Sequence, residues 1–373
     1  MKKRKLVIAS VLKPVDDTRM YEKFGLSLGQ TSKYEINIIG FCVKNIPQTV
    51  NITFHPLFNF KRLNISRLAA PFQCLKKYHQ LRPELIIINT HELLIVTFLY
   101  RILFGCKVAY DIQENYYRNI LYTNTFPLLI KPFIAAYIRG KEYLSRLFVD
   151  HYFLAEKQYQ NEFTFARGKC TVIENKYLPS VTIPDVQKQI KNSEQITLLF
   201  SGTIGESTGV FECIALTKKL HEINPEIRLN IIGYCAQKST LIKLKETIKN
   251  SDFITLFGGS ELVSHQEVLA AIQKADFGVV YYPTNKSTMN TMPTKLFEYL
   301  GNGLPMLLQD HEPWVELAEK YEACIPINIH TINPGQLLNK MKKRKFYTTI
   351  PKDEILWRSE EKKLIEIVNN LLI

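Results

Sequence analysis

The sequence predicts an α/β protein of two doubly wound domains, and three observations lead to that prediction. The chain has 373 residues, which is long for a single hydrophobic core. Short apolar runs such as LVIAS and LIIIN alternate with helical patterns, as is typical of parallel strands that are covered on both faces. A polar segment at residues 177–193, which contains Pro179 and Pro184, separates two series of this kind and is predicted to be a linker.

The first series begins at the N-terminus and extends to the linker. Its predicted strands lie at residues 5–10, 35–40, 85–90, 107–112, 151–155 and 171–175. Helical patterns lie between the strands, most clearly at residues 66–81 and 132–148. Asp16 or Asp17, after the first strand, is a suitable N-cap for a helix. We therefore expect the first domain to span residues 1–180.

The second series follows the linker with the same alternation. Its predicted strands lie at residues 196–201, 228–233, 253–257 and 277–282, with helices at 209–223 and 239–249. Ser264 and Glu267 form a capping-box pattern that opens a helix ending at Lys274. The second domain is predicted to span residues 193–354, before a final helix near residues 355–372. Ligands of such sheets bind beyond the carboxyl ends of the strands, so we expect the loops there to carry the chemistry.

The charges of the chain are unevenly distributed. Residues 1–180 contain 26 Lys and Arg against 13 Asp and Glu, whereas residues 181–373 contain 22 of each kind. This asymmetry indicates an anionic partner for the first domain, such as a membrane surface or a phosphorylated substrate. The basic residues accompany no recognised nucleic-acid motif, so a nucleic-acid partner is not expected. The seven cysteines are scattered without C-x-x-C spacing, which favours reduced thiols in the cytoplasm and supports no metal site.

The most informative stretch of the chain is residues 277–305. A predicted strand runs into a polar loop, and Pro293 then opens a short helix that carries Lys295 and Glu298. These are the parts of a phosphate-binding βαβ unit. Lys295 in the first turn opposes the helix dipole at a small cost, which is understandable if the helix N-terminus also holds a diphosphate. The carboxylate of Glu298 could accept hydrogen bonds from two ribose hydroxyls.

A glycine-rich loop at residues 201–209 follows a strand and precedes a helix. Gly202, Gly205 and Gly209 would let backbone amides approach an anion closely, although such loops are often only tight turns. The loop does not end in Gly-Lys-Ser/Thr and is therefore not a P-loop.

The string KLFEYLGNGLP and its surroundings closely resemble the donor-binding signature of GT-B glycosyltransferases of the family-4 kind. The resemblance extends over nearly the whole chain and is strongest over residues 195–310. It implies two Rossmann-like domains facing an interdomain cleft, with a last helix at residues 355–373 that joins the first domain. It also implies transfer of a sugar from a nucleotide-sugar donor with retention of configuration. Members of the family need no bound metal, so neither a metal nor another cofactor is expected.

The resemblance also implies the donor-binding residues. The two glutamates of the family signature correspond to Asn290 and Glu298, so Glu298 is expected to hold the ribose and Asn290 to face the donor sugar. The amides of Thr294 and Lys295, together with the glycine-rich loop from Gly202 to Gly209, are expected to hold the diphosphate.

The chain departs from the family pattern within that loop. The Arg and Lys that grip the donor phosphates in the family correspond to Thr203 and Thr208 here, so amides and hydroxyls would replace two cations. Phe257 and Gly258 match the family loop that touches the nucleotide base, or they form a plain turn after a strand.

Two segments of the first domain resemble family motifs near the reacting groups. Arg19 lies in a D-T-R segment like the one at the wall where the acceptor and the donor phosphate meet. His91 follows a strand and resembles the histidine of the family's His-Asp pair, so it could hydrogen-bond a sugar hydroxyl. Residues 110–114 resemble Y-D-x-H-E, with Gln113 where histidine is common. We expect His91, Arg19 and Asn290 to serve the reaction.

The acceptor is expected to be a carbohydrate or a lipid-linked molecule in cell-surface polysaccharide or glycolipid synthesis. Residues 126–148 combine aromatic, aliphatic and basic side chains, so they either lie on an anionic membrane surface or form an ordinary core helix. The protein is expected in the cytoplasm, with peripheral attachment at the inner face of the membrane as an option. Two alternatives stay open: a catalytically impaired GT-B protein that binds a partner or nucleotide, and a nucleotide-sugar epimerase.

Overall fold

The computed structural model describes residues 3–60, 64–122, 126–179, 195–283, 291–351 and 353–373. The chain divides into two compact units, the first formed by Met1–Leu178 with Trp357–Ile373 and the second by Pro179–Leu356. Each unit contains one sheet, and every strand pairing in both sheets is parallel among the described residues. The predicted class, α/β with two doubly wound sheets, is confirmed.

The sheet of the first unit has the strand order β3-β2-β1-β4-β5-β6-β7. Its strands are β1 (Arg4–Pro14), β2 (Tyr34–Phe41), β3 (Ile52–Phe58), β4 (Leu85–Ile88), β5 (Lys107–Ile112), β6 (His151–Leu154) and β7 (Cys170–Val172). The sequence analysis did not predict β3. This strand lies at the edge of the sheet, is only partly buried and contains Pro56, which an edge strand tolerates.

The helices of the first unit cover both faces of its sheet. They are a π-type helix at Thr18–Gly25, α1 (Leu26–Gln30), α2 (Ala70–Leu81), α3 (Leu93–Phe104), α4 (Tyr116–Tyr122), α5 (Lys131–Leu144) and α6 (Tyr159–Glu162). The carboxylate of Asp17 caps the π-type helix by accepting from the amides of Arg19 and Met20, as its position after the first strand predicts. The helix predicted at residues 132–148 ends at Leu144 and continues only as a short 3-10 turn.

The sheet of the second unit has the strand order β10-β9-β8-β11-β12-β13. Its strands are β8 (Ile196–Ser201), β9 (Ile227–Tyr234), β10 (Ile254–Gly259), β11 (Phe277–Val280), β12 (Met306–Gln309) and β13 (Cys324–Ile327). Its helices are α7 (Val210–Ile223), α8 (Lys238–Ile248), α9 (His265–Lys274), α10 (Thr294–Gly301), α11 (Glu312–Glu319) and α12 (Pro334–Lys343). The capping box predicted from Ser264 and Glu267 is formed at the start of α9.

The last helix, α13 (Arg358–Leu371), packs on the first unit. Its residues Leu364 and Val368 are fully buried in the core formed by one face of β1 and β2. The ring of Trp357 stacks on Phe24 with centroids 5.9 Å apart, and its Nε1 donates to Ser27 Oγ at 2.9 Å. The first unit is therefore completed by the end of the chain. None of the described helices is long and apolar enough to cross a membrane.

Candidate functional site

The strand order of the second sheet reverses between β8 and β11, and the predicted donor residues lie beside this reversal. β9 and β10 extend the sheet beyond β8, whereas β12 and β13 extend it beyond β11. In doubly wound sheets such a reversal leaves a crevice at the carboxyl ends of the two strands. The loop at residues 202–209 follows β8, and α10 is the helix that follows β11. The topology therefore brings both candidate phosphate-binding segments to the same edge.

At Gly209 the loop after β8 packs closely against the chain that follows β11. The φ of this glycine is +77°, and a Cβ atom at this position would lie 2.1 Å from the carbonyl oxygen of Tyr281. Only glycine allows this close approach of the two backbones. The hydroxyl of Thr208 donates to the carbonyl oxygen of Thr203 at 2.8 Å, so Thr208 braces the loop from within. The side chain of Thr203 is exposed.

Phe257 and Gly258 lie at the end of β10, where neighbouring strand ends come into close contact. A Cβ atom on Gly258 would lie 2.5 Å from the carbonyl oxygen of Gly233, and one on Gly233 would lie 1.7 Å from that of Gly202. The ends of β8, β9 and β10 are therefore packed backbone against backbone. The ring of Phe257 is 48% exposed, as a surface that stacks on a ligand would be.

Helix α10 is held against the sheet by Tyr299. The Tyr299 hydroxyl hydrogen-bonds with Ser201 Oγ at 2.8 Å, and a Cβ atom on Gly278 would lie 2.3 Å from its ring. The helix begins at Thr294, so the backbone amides of its first turn, including that of Lys295, point out of this N-terminus. This N-terminus lies at the carboxyl edge of the sheet, where the helix dipole favours an anion.

Lys295 buries a cation beside this N-terminus. The residue is 7% exposed, and among the described residues no acceptor lies within hydrogen-bond distance of its Nζ. The Nζ atom lies 4.2 Å from the centroid of the Phe200 ring and 5.3 Å from that of Tyr282. Burial lowers the pKa of Lys295 to about 8, although Cys213 and Glu298 act in the opposite direction. A buried ammonium without an acceptor is costly, and an anionic ligand would satisfy it.

Glu298 lies one turn after Lys295 and is oriented by a histidine. Its Oε1 atom is 3.1 Å from Nε2 of His265, the first residue of α9. The Glu298 side chain is 16% exposed, so it is partly open to a ligand. The sequence analysis missed His265, although the capping box already identified the start of α9. Asn290, the remaining predicted donor residue, lies outside the described residues.

The sheet of the first unit has a similar reversal, between β1 and β4. Arg19 lies on the chain that follows β1, and His91 lies on the chain that follows β4. Both predicted residues therefore lie beside the reversal, and the structure places them in different surroundings.

Arg19 is buried and fully engaged in a salt bridge. Its Nη2 atom lies 2.7 Å from Asp111 Oδ1, its Nε also donates to Asp111, and its Nη1 donates to the carbonyl oxygen of Ile173 at 2.9 Å. Gln113 donates to the same Asp111 carboxylate at 2.8 Å. Arg19 is only 2% exposed, so it ties the helix after β1 to the ends of β5 and β7.

His91 lies in a network of charged side chains. Lys141 Nζ is 3.1 Å from Nδ1 of His91, and because an ammonium only donates, Nδ1 is the acceptor. Burial lowers the pKa of His91 to about 4, with Glu92 raising it and Lys141 lowering it further. The ring is therefore neutral near pH 7 and carries its proton on Nε2. Arg67 forms an ion pair with Glu92 on the other side of this network.

Glu142, next to Lys141 on α5, is completely buried. Its Oε1 accepts from the Tyr110 hydroxyl at 3.3 Å, and Oε2 lies 3.5 Å from Nη1 of Arg139. Burial raises the pKa of Glu142 to about 7, although Arg139 and Tyr110 lower it. No sequence pattern pairs Lys141 with His91 or Glu142 with Tyr110, because these contacts join segments that are 50 and 32 residues apart in the chain.

Within the described residues, no group of three or more His, Cys, Asp or Glu side chains is arranged to hold a metal ion.

Comparison with known proteins identifies the family that the second unit resembles and the fold of the whole chain. Residues 182–343 match the family model described as glycosyl transferases group 1. No curated protein sequence matches the chain.

Solved structures of GT-B glycosyltransferases superimpose over nearly the whole chain. Sucrose-phosphate synthase from Thermosynechococcus elongatus matches with a TM-score of 0.67 at 13% identity, covering 99% of each chain. HepE from Anabaena, in complex with UDP-glucose, matches with a TM-score of 0.62 at 12% identity, covering 98% of this chain and 99% of that one. An α,α-trehalose 6-phosphate synthase from Burkholderia multivorans has a TM-score of 0.58 at 11% identity, covering 100% of this chain and 95% of that one. The chain therefore has the GT-B fold with two Rossmann-like units.

Proposed function

We propose that the protein is a retaining glycosyltransferase that moves a sugar from a nucleotide-sugar to a carbohydrate or lipid-linked acceptor. The observation that carries this proposal is the buried ammonium of Lys295, which has no acceptor among the described residues and lies at the N-terminus of α10. An anion at this N-terminus would satisfy the ammonium and would lie at the positive end of the helix dipole. The family match of residues 182–343 and the UDP-glucose bound by HepE favour a nucleotide-sugar as the source of that anion.

The donor would be held by the carboxyl edge of the second sheet. The free oxygen of Glu298 accepts from the ribose while His265 holds the other oxygen in place. The amides of Thr294 and Lys295 and the loop at residues 202–209 hold the diphosphate. The Lys295 side chain, with its long flexible stem, turns from the Phe200 ring towards the phosphate. Charge that develops on the leaving diphosphate is then stabilised by the helix N-terminus and this ammonium, so the transfer needs no metal.

The residues of the first unit have different roles in this proposal. His91 donates from Nε2 to a hydroxyl of the reacting sugar, because Lys141 already occupies Nδ1. Arg19 acts as a positioning residue through Asp111 rather than by contact with substrate, since its guanidinium is buried in that salt bridge. Asn290 faces the donor sugar. The basic first unit suits a phosphorylated or lipid-linked acceptor of cell-surface polysaccharide or glycolipid synthesis.

Calorimetric titration with a panel of nucleotide-sugars tests the donor site. We expect one of them to bind and Lys295→Met to weaken that binding by about ten- to a hundredfold, since a charge-assisted contact is lost. Lys274→Met, which removes an exposed lysine from α9 in the same unit, is the matched control and should bind as the wild type does. If none of the nucleotide-sugars binds to the wild-type protein, the proposed function is wrong.

A second candidate is a GT-B protein that binds nucleotide without transferring sugar. It is favoured by the loop after β8, where Thr203 and Thr208 stand in place of two cations and the Thr208 hydroxyl is engaged within the loop. Binding with no consumption of the nucleotide-sugar, in the presence of mixed carbohydrate and lipid-linked acceptors, would support this candidate. Nuclear magnetic resonance of any glycoside formed would test retention of the anomeric configuration.

A further inference from the structure

The outward side of α3 is apolar along its whole length. The helix packs between α2 and α5 and buries Leu93, Leu94, Val96 and Tyr100 against the sheet. Its other side nevertheless exposes large apolar side chains, among them Ile95 at 50%, Ile102 at 64% and Leu103 at 68%. A helix that is hydrophobic on all sides is normally covered on all sides. The sequence of α3 therefore indicates that something apolar covers its outward side.

Helix α5 has an inverted polarity. Lys131 and Glu142 are buried, at 7% and 0% exposure, whereas Phe133, Tyr137 and Leu144 are exposed at 76%, 61% and 60%. Across the described residues 131–147, Arg146 is the one exposed residue that carries a charge. If this side of α5 faced only water, we would expect exposed charges and buried rings, because burying charges and exposing aromatic rings both cost free energy.

Two short segments beside these helices also carry highly exposed apolar side chains. Leu128 and Leu129, just before α5, are 79% and 84% exposed, and Ile65 and Leu68, just before α2, are 82% and 73% exposed. Of the 27 exposed large hydrophobic residues in the described chain, 18 lie between residues 65 and 147. We call the outward side chains of α3 and α5, together with the exposed side chains of these two segments, the apolar face. Single exposed apolar residues are normal on a protein surface, but this many within one part of the chain indicate an interaction surface.

Basic groups are seated on aromatic rings of the apolar face. The guanidinium of Arg146 lies 4.2 Å from the Tyr143 ring. The guanidinium of Arg82 lies 4.3 Å from the ring of Phe104 at the end of α3. Residues 64–148 contain eleven Lys and Arg against five Asp and Glu. Exposed apolar side chains flanked by cations are suited to the surface of an anionic bilayer, where the apolar groups contact acyl chains and the cations contact headgroups.

We infer that the apolar face inserts into the interface of an anionic phospholipid bilayer. Leu128, Leu129, Ile65 and Leu68 enter the acyl region, and the flanking cations lie at the level of the lipid phosphates. Apolar insertion, aided by charge, is the dominant force of this membrane contact. It stands independently of the donor site, because binding to vesicles requires no nucleotide-sugar.

Co-sedimentation with vesicles tests the inference. The wild-type protein is expected to pellet with vesicles of phosphatidylcholine and phosphatidylglycerol and to pellet less with phosphatidylcholine alone. Part of the binding should persist at about 1 M NaCl, because salt screens the charges but not the apolar contact. The double variant Leu128→Glu with Leu129→Glu should lower the bound fraction at low salt by about tenfold.

Leu262→Glu is the matched control. Leu262 is 76% exposed but belongs to the second unit, so this variant should bind vesicles as the wild type does. All three proteins should melt at the same temperature, since the substituted side chains are exposed. The inference would be overturned if the double variant bound vesicles as well as the wild type does. It would also be overturned if Leu262→Glu lost as much binding as the double variant, or if the wild type did not bind. The inference would also be overturned if light scattering showed that the wild type is a dimer and the double variant a monomer, while both proteins bind vesicles equally.

Discussion

At the scale of single residues, Lys295 and Glu298 lie one turn apart on α10 and differ in their surroundings. Lys295 is a buried cation whose Nζ has no acceptor among the described residues, and Glu298 has one oxygen held by His265. Both residues are site candidates from the sequence, because a lysine and a glutamate on a helix after a strand suit phosphate and ribose chemistry. The sequence does not predict His265, whose contact with Glu298 spans 33 residues and depends on the packing of α9 beside α10.

Nucleotide binding should weaken as the pH rises above about 8. Burial lowers the pKa of Lys295 to about 8, so the unliganded protein loses this proton as the pH passes through that value. A bound diphosphate favours the ammonium and retains the proton, so binding above pH 8 requires proton uptake. We expect the affinity of the wild type to fall by up to about tenfold between pH 8 and pH 9 in calorimetric titrations. Lys295→Met should show no such decline, and a wild-type affinity independent of pH would contradict this reading of Lys295.

Glu298→Ala should abolish measurable nucleotide binding, and His265→Ala should weaken it by about three- to tenfold. The first change removes the acceptor for the ribose hydroxyls, whereas the second removes only the group that orients it. A 2′,3′-dideoxy nucleotide provides the control, since it lacks the hydroxyls that Glu298 would bind. If Glu298→Ala weakens the dideoxy nucleotide as much as the normal one, Glu298 does not contact the ribose.

At the scale of helices and strands, the elements that the sequence predicted are those with one clear pattern. β8 and β5 are nearly continuous in apolar residues, and both strands have the bounds predicted from the sequence. β3 and β13 were missed because one is a partly buried edge strand and the other spans only Cys324–Ile327 with a proline inside. α3 was not singled out because apolar residues on every side leave no 3.6-residue periodicity to detect.

Gly209→Ala should destabilise the second unit by about 2–4 kcal/mol, because the new methyl group would collide with the Tyr281 carbonyl at a positive φ. Urea unfolding followed by fluorescence measures this change. Gly140→Ala on α5 is the matched control: it lies in a helix with no atom within 4 Å of the added Cβ, so it should stabilise the first unit by about 0.5–1 kcal/mol. A Gly209→Ala protein as stable as the wild type would contradict the close approach of the two loops.

At the scale of the whole molecule, the two units differ in how the chain builds them. The second unit is a continuous segment, Pro179–Leu356, whereas the first is formed by two segments that the second unit separates in the chain. The sequence predicts domains at residues 1–180 and 193–354, because the polar stretch at 177–193 separates two series of strands. Only the family resemblance implied that the last helix joins the first unit. No local pattern in residues 357–373 indicates which sheet the helix covers.

Removal of residues 357–373 should unfold the first unit and leave the second folded. The deletion takes Trp357, Leu364 and Val368 out of the core beneath β1 and β2, and these side chains together contribute about 5 kcal/mol or more. Calorimetry should show loss of one melting transition, and limited proteolysis should leave a fragment near residues 195–356. Lys362→Ala, which changes an exposed residue of the same helix, should melt as the wild type does. Survival of both transitions in the truncated protein would contradict the contribution of α13.

The discontinuous first unit also has a consequence for synthesis on the ribosome. Its first segment leaves the ribosome early but lacks α13 until the whole of Pro179–Leu356 has been translated. At about 5–20 residues per second, this delay lasts on the order of 10–40 s. The second unit, with all of its strands already available, can fold during that interval. The nascent first segment, with the apolar side chains of α3 and α5, is then the part of the chain that most needs a chaperone or an early encounter with lipid.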